Sequence, residues 1–456
     1  MSRPVSTDAQ VMILGGGLCG LSAALYLSEA GVKWTLIEKE ARLGGHARTD
    51  ETQGFHFDKT GHWLHLRDDG IKKLVAELLP DGMVRVERKA KIFSHGVLTR
   101  YPYQANLYGL PPSIISECLL ELFAAEQKKQ GTKDPVVPAN FEEFCDQHFG
   151  KGISRHFMIP YNQKLWGVHP SEITAEWCSR FVPLPKLADI VRGAVGDVPP
   201  EMGYNVAFLY PRTGGIETLT KALVARVQAS QGQSALHLQT GFDSIDVGKK
   251  QITIGGESRS WRAMVATVPL PELVKRIVDA PRALQEAADR LRCTQLRYLN
   301  VATKTPPKAD YHWIYVPEEK YPFYRVGIYT NAVPSMAPAG RGSFYVELSD
   351  RRPDLKADDV MPDVAEAMIA TGAIQSRDDV LFAEMKTLKY AYVVFDDNYY
   401  EAVGTITRWL EQHGIYPRGR YGSWIYNSME DSLMAGRDTA RLIAASTTSA
   451  TQPEPA

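Results

Sequence analysis

The sequence predicts an α/β protein in three parts: a discontinuous nucleotide-binding domain, a helical insert domain and an antiparallel β-sheet substrate domain. Three observations predict it. A glycine-rich turn, Gly15-x-Gly17-x-x-Gly20, lies between an apolar strand and a helix near the amino end. Apolar residues recur at helical spacing from Pro111 to about Phe181. Strand-like runs then dominate from Leu296 to about Phe395.

Taken in order, VMIL reads as a buried parallel strand, LSAALYLSEAG as a helix stopped by Gly31, and KWTLIEK as a second strand reaching Glu38. This is the context a dinucleotide fingerprint requires. Gly15 makes the tight turn. Gly17 lets the backbone approach a pyrophosphate at the helix N-terminus. Gly20 permits close helix–strand packing, and Glu38 can accept from a ribose hydroxyl. ARLGGHART follows and places Arg42, Gly44, Gly45 and Arg48 around one anion-sized space. Residues 1–105 are therefore expected to open the nucleotide-binding domain.

Residues 106–200 form the helical domain. SIISECLLELFAAEQKKQ starts after Pro112-Ser113, and Asn140 caps FEEFCDQHF, which stops at Gly150. In 201–290 the chain returns to the nucleotide domain. Gly214-Gly215 opens the helix IETLTKALVARVQAS, and ALHLQT, SIDV, QITI and RAMVATVP read as strands. YLNVATK, HWIYVPE, FYRVGIYT, SFYVELS and AYVVF build the sheet domain over 291–396. Residues 397–446 complete the nucleotide domain, with SLMAGRDTARLIAAS as a helix after turn-rich sequence. The polar tail 447–456 is expected to be disordered.

The 456 residues are 44% hydrophobic and 23% charged, an ordinary globular composition. A net charge of −1 leaves no global field for nucleic acid or an anionic membrane, so local arginines must hold any anion. Five scattered cysteines without a CxxC argue against a disulfide framework or zinc site and for a reducing compartment. With no apolar signal core and no apolar run near 18 residues, a cytoplasmic protein without membrane contact is expected. His62 and His65 make an HxxH without a third ligand, so no metal is expected.

Further pieces occur in order: TGHW, RYPYQANLYGLP, YNQKLWGV, the helix carrying Arg180, NVAFLYPRTGG, HWIYVPEEKYPFYR, AYVV and GRYGSWIY. Together they resemble the UDP-galactopyranose mutases, nearer the eukaryotic type, over nearly the whole chain and more weakly between about Ala235 and Leu296. The Gly44-Gly45 turn resembles the one that runs along the FAD pyrophosphate in the amine-oxidase and mutase branch of glutathione-reductase-like flavoproteins. The resemblance implies a Rossmann-like FAD-binding domain, with FAD active when reduced. It also implies UDP-galactose or a related nucleotide sugar as substrate, and NAD(P)H as a candidate reductant with no Rossmann domain of its own. In that family reduced flavin N5 attacks the anomeric carbon, UDP leaves, the opened sugar recloses through another hydroxyl, and UDP returns.

Residue by residue, the resemblance implies that Arg180 and Arg325 bind the diphosphate and that Tyr392 and Tyr426 donate to it. Tyr103 and Gln104 match the uracil site, with Tyr161 and Asn162 on the facing helix. Trp166, Asn205, Trp313 and Tyr315 match sugar or phosphate contacts. His62 matches a histidine in a mobile loop against the flavin, and Arg420 and Ser432 match flavin contacts. Thr60 departs from the family's glycine, which stiffens that loop. Plain alternatives stand beside these. Arg180 can pair with Glu176, Arg325 can be an exposed strand residue, and Tyr101 and Trp177 can be core. Three other readings stay open. They are a mutase for another nucleotide sugar, an amine-oxidase or desaturase-type flavoenzyme with an apolar tunnel, and a non-catalytic flavoprotein.

Overall fold

The structure is a computed structural model that describes residues 11–131, 137–178, 182–197, 206–230, 232 and 234–449. Val11–Leu14 is wholly buried, as an all-apolar strand flanked on both sides must be. It pairs in parallel with Trp34–Ile37 and with Ala263–Ala266. Ala235–His237 and Ile415–Pro417 complete a parallel sheet in the order 415–417, 263–266, 11–14, 34–37, 235–237. The helix Leu18–Glu29 packs on this sheet, and Met429–Ser449 packs along that helix. A Cβ at Gly20 would meet the Gly15 carbonyl oxygen at 2.0 Å, and one at Gly436 would meet the Cys19 carbonyl oxygen at 2.2 Å. Glycine at both places is what lets helix, turn and helix touch.

The second sheet is mixed. Its order is Val380–Val393, Cys293–Thr303, Gly342–Leu348, Phe323–Ile328, Trp313–Tyr315, Ala90–Ser94 and Val97–Arg100. One junction, Trp313–Tyr315 with Ala90–Ile92, is parallel, so the sheet is not antiparallel throughout as the sequence suggested. Its last two strands come from within residues 1–105. Ser244–Asp246, Gln251–Ile254 and Glu257–Ser260 form a separate three-stranded meander instead of joining the parallel sheet.

The helical part holds Pro112–Gln130, Phe141–Ile153 and Ile159–Trp166, with a π-helical turn over Ser154–Met158. Gly150 breaks the helix, as its sequence position suggested, with φ +75° and ψ 160°, and a second helical stretch follows to Ile153. A Cβ there would lie 2.5 Å from the backbone of Glu121, so glycine is what lets the two chains approach at the kink. Asn140 caps this helix by accepting from the Glu143 N–H, as its sequence position suggested. Ile159–Trp166 ends at Gly167 in the left-handed conformation. Among the described residues no helix is long and apolar enough to cross a membrane.

Candidate active site

One cleft of about 850 Å³ runs from the carboxyl ends of the parallel strands to the face of the mixed sheet. That edge is where α/β sheets bind ligands. At its sheet end lies a glycine cradle. Gly15 takes φ +100°, a conformation that L side chains avoid. Gly17 caps the first helix and offers no side-chain acceptor, so the leading N–H groups of that helix face the cleft beside Leu18 and Cys19. Gly44 donates from its N–H to the Gly16 carbonyl at 2.8 Å. A Cβ on Gly45 would stand 3.2 Å from the Gly17 Cα. Two bare backbones thus meet beside a helix N-terminus, an opening that fits a pyrophosphate. Glu38 is buried and accepts from the Gly16 N–H at 2.7 Å and the Glu40 N–H at 2.9 Å. It braces the turn and still lines the cleft, with lone pairs left for ribose hydroxyls.

The wall across from this cradle is a linked set of cations and phenols. Arg325 donates to the buried Glu347 from Nε at 2.8 Å and Nη2 at 2.5 Å, and from Nη2 to the Tyr392 hydroxyl at 3.0 Å. Strand register brings this about, since Arg325 faces Glu347 on one side and Tyr315 on the other. The ring of Tyr392 stacks on Tyr426 at 5.9 Å. The Arg420 guanidinium lies 4.6 Å from the centre of the Tyr426 ring. It donates to the carbonyls of Asn427 at 2.9 Å and Ala391 at 2.8 Å. Among the described residues it forms no ion pair. Two guanidiniums therefore bracket two stacked tyrosines, and one carboxylate serves the pair.

His62 lines the same cleft, with Nδ1 3.4 Å from the Thr60 carbonyl. Burial and the nearby Arg420, Lys59 and Arg325 charges pull its pKa down to about 4, so the imidazole is neutral at pH 7. Thr60 sits at φ +70° where a glycine would be unstrained. The Tyr329 hydroxyl holds it, sharing its one hydrogen between the carbonyls of Asp58 and Thr60, each at 3.0 Å. Trp63 stacks on Trp313 at 6.0 Å and closes the base of the loop.

The structure thus brings Gly15, Gly17, Glu38, Gly44, Gly45, His62, Trp313, Tyr315, Arg325, Tyr392, Arg420, Tyr426 and Ser432 to one cleft. It keeps others away from the cleft surface. Gly20 is packing, as above. Arg42 points outward and pairs with Asp50 at 2.6 Å. The inward arginine is Arg48, which donates to the carbonyls of Gly45 at 2.9 Å and Arg42 at 3.1 Å. Tyr103 is fully buried and stacks on Phe157 at 5.0 Å, and Phe157 stacks on Tyr161 at 5.3 Å. Gln104 donates to the Pro183 carbonyl at 2.8 Å. Asn162 donates to the Met158 carbonyl and accepts from Trp166 Nε1. These residues back the wall. Tyr161 meets Tyr315 edge-on at 5.3 Å and Trp166 meets Tyr392 edge-on at 5.7 Å. Trp177 packs on Phe141 and Trp166, as a core tryptophan does. Arg180 and Asn205 lie outside the described residues. His65 donates from Nδ1 to the Ala207 carbonyl at 3.1 Å, and the described residues hold no metal-binding group of three.

Sequence reasoning missed Glu347, His46 and Lys59. His46 lies 3.2 Å from the Tyr421 hydroxyl, and burial holds its pKa well below the usual histidine range. Lys59 falls to about 8 through burial and then through the Arg48 charge. The adjacency of His46 to the Gly-Gly turn was a usable signal. For Glu347 there was none.

Residues 18–444 match the family model of flavin-containing amine oxidoreductases. The chain belongs to this family. FAD is its cofactor, and the glycine cradle described above fits it. A crystal structure of reduced UDP-galactopyranose mutase superposes with a TM-score of 0.89 at 25% identity, covering 97% of this chain and 95% of that one. A probable UDP-galactopyranose mutase of Klebsiella pneumoniae is 25% identical over 38% of this chain and 45% of its own length. A probable flavin-containing monoamine oxidase A of Dictyostelium discoideum is 27% identical over 61% of this chain and 60% of its own length. The chain therefore spans less than two thirds of these two curated relatives.

Proposed function

We propose that this flavoenzyme interconverts UDP-galactopyranose and UDP-galactofuranose while its FAD is reduced. The observation that carries the reading is the wall Arg325–Tyr392–Tyr426–Arg420 facing the glycine cradle in one cleft. An amine or polyene substrate asks for an apolar passage. A nucleoside diphosphate asks for cations and hydroxyl donors, which this wall supplies. The reduced mutase structure that superposes over 97% of the chain supports the same reading.

Bound FAD in its reduced form would supply a nucleophile for the anomeric carbon. The chain's own residues do the rest. Arg325, Tyr392 and Tyr426 hold the diphosphate whose charge grows as the glycosidic bond breaks. Arg325 cannot grip it with its Nε/Nη2 edge, which Glu347 already occupies, so it acts through its remaining face and through Tyr392. Arg180 is proposed as the second diphosphate arginine. Neutral His62 offers a hydrogen bond without adding charge. The stacked Trp63 and Trp313 keep water from the sugar end. Tyr103, Phe157, Tyr161 and Gln104 are buried behind the wall and would support the nucleotide end from there without touching the base. Asn205 is proposed at the sugar.

Titrating UDP into the oxidised and the dithionite-reduced holoprotein, while recording the flavin spectrum, tests this reading. A saturable spectral change with UDP and no oxygen uptake on amines is expected. Amine-dependent oxygen uptake without a UDP response would replace the mutase by an oxidase.

A further inference from the structure

Lys164 lies within the YNQKLWGV helix but outside every role assigned above. Its ammonium reaches the turn that joins the strands Trp313–Tyr315 and Phe323–Ile328. Its three N–H donors are shared among four carbonyls, those of Val316 at 3.2 Å, Glu318 at 2.9 Å, Tyr321 at 3.0 Å and Phe323 at 2.7 Å. Among the described residues it forms no ion pair. Glu318, within the same turn, instead pairs with Lys320 at 3.4 Å and accepts from the His95 N–H at 3.2 Å. An ammonium that reads four backbone oxygens fixes the path of a chain, where a salt bridge would fix only a side-chain tip. A second cation ties the same helix to a different loop of the sheet. Arg351, just beyond the strand Gly342–Leu348, donates from Nη2 to the Lys164 carbonyl at 2.6 Å and the Leu165 carbonyl at 2.8 Å. The helix thus holds one loop of the sheet with a cation, and a cation from a second loop holds the helix.

We propose that Lys164 is a positioning residue of the cleft, latching the 316–323 turn so that Tyr315 and Arg325 keep their places against the aromatic helix. Val316 O is one residue from Tyr315 and Phe323 O is two from Arg325, so slack in the turn reaches both. What the wall binds rests on the nucleotide-sugar reading. That the latch holds the wall does not.

The test uses FAD-loaded parent, Lys164→Met, Lys164→Arg and Arg351→Gln. Backbone hydrogen exchange of 313–328 and the Kd for UDP from flavin fluorescence are measured together. Lys164→Met should keep its flavin, exchange 313–328 at least tenfold faster with 11–14 unchanged, and bind UDP about tenfold more weakly. Lys164→Arg should restore part of both, and Arg351→Gln should resemble Lys164→Met. Unchanged exchange and UDP affinity in Lys164→Met overturns the proposal. A global rise in exchange that includes 11–14 also overturns it, by making Lys164 a general stabiliser. If the parent itself ignores UDP, the nucleotide-sugar reading fails, and faster exchange confined to 313–328 still supports the latch.

Discussion

Arg325→Met should separate two jobs of one side chain. Glu347 is wholly buried, and Arg325 gives it bonds of 2.8 and 2.5 Å. Removing the guanidinium strands that carboxylate, which costs roughly 3–5 kcal/mol for a buried pair that loses one member. Changing Glu347→Leu as well removes the stranded charge, and the double variant should regain most of that loss. Binding behaves differently. Both variants lack a charge-assisted contact to the diphosphate worth about 1.5–3 kcal/mol, so UDP should bind roughly 10- to 150-fold more weakly in each. Thermal unfolding and UDP titration of the two holoproteins measure both quantities. FAD content should match the parent, since the cradle stands across the cleft. Equal instability of the single and double variants would show that Glu347 does not depend on Arg325. Parent-like UDP affinity would make Arg325 a brace and nothing more.

Three further outcomes are expected. Gly17→Val should give colourless protein, because a Cβ there meets no protein atom closer than the Gly45 Cα at 3.9 Å and so points into the pyrophosphate opening; yellow protein with bound FAD refutes the cradle. The His62 imidazole, with its folded pKa lowered to about 4 from 6.5, contributes stability that is full above pH 6.5 and is lost as pH falls through 4, about 3 kcal/mol in all; a ring-proton titration near 6.5 in the folded protein contradicts it. Asp58 runs the other way. Burial raises its carboxyl to about 7 from 3.8 despite bonds from Tyr210, Thr49 and Ile216, so stability is full below 3.8 and falls as pH rises to 7. The stability difference between the parent and Asp58→Asn should therefore change by about 3 kcal/mol between pH 4 and 7, and a constant difference refutes the assignment.

Much of the site was legible because its signals are local or periodic. The fingerprint glycines and Glu38 sit at fixed offsets between a strand and a helix, and they form one edge of the cleft. Tyr315, Arg325, Tyr392, Arg420 and Tyr426 were legible only through ordered motifs, since no spacing along the chain shows that they meet. Choosing Arg42 over Arg48 failed on backbone geometry. Gly44 at φ +110° and Gly45 at φ +60° turn the chain so that the later arginine points inward. Glu347 reads as a solvent-facing strand carboxylate until the register sets it opposite Arg325. The strand Val380–Val393 was seen only at its AYVVF end, because AEMKTLK favours a helix in isolation. Pairing with Cys293–Thr303 overrides that preference. The helix Ala357–Ala370 was hidden by Pro362 within it. Lys164 looked like any surface lysine, since nothing local encodes the four carbonyls it meets.

The most direct measurement is anaerobic incubation with UDP-galactofuranose, once with dithionite-reduced and once with oxidised holoprotein, followed by chromatography of the nucleotide sugars. Conversion to UDP-galactopyranose by the reduced protein alone, with no net consumption of reductant, is the predicted result. No conversion by the reduced FAD-loaded protein, or equal conversion by the oxidised form, would contradict the account.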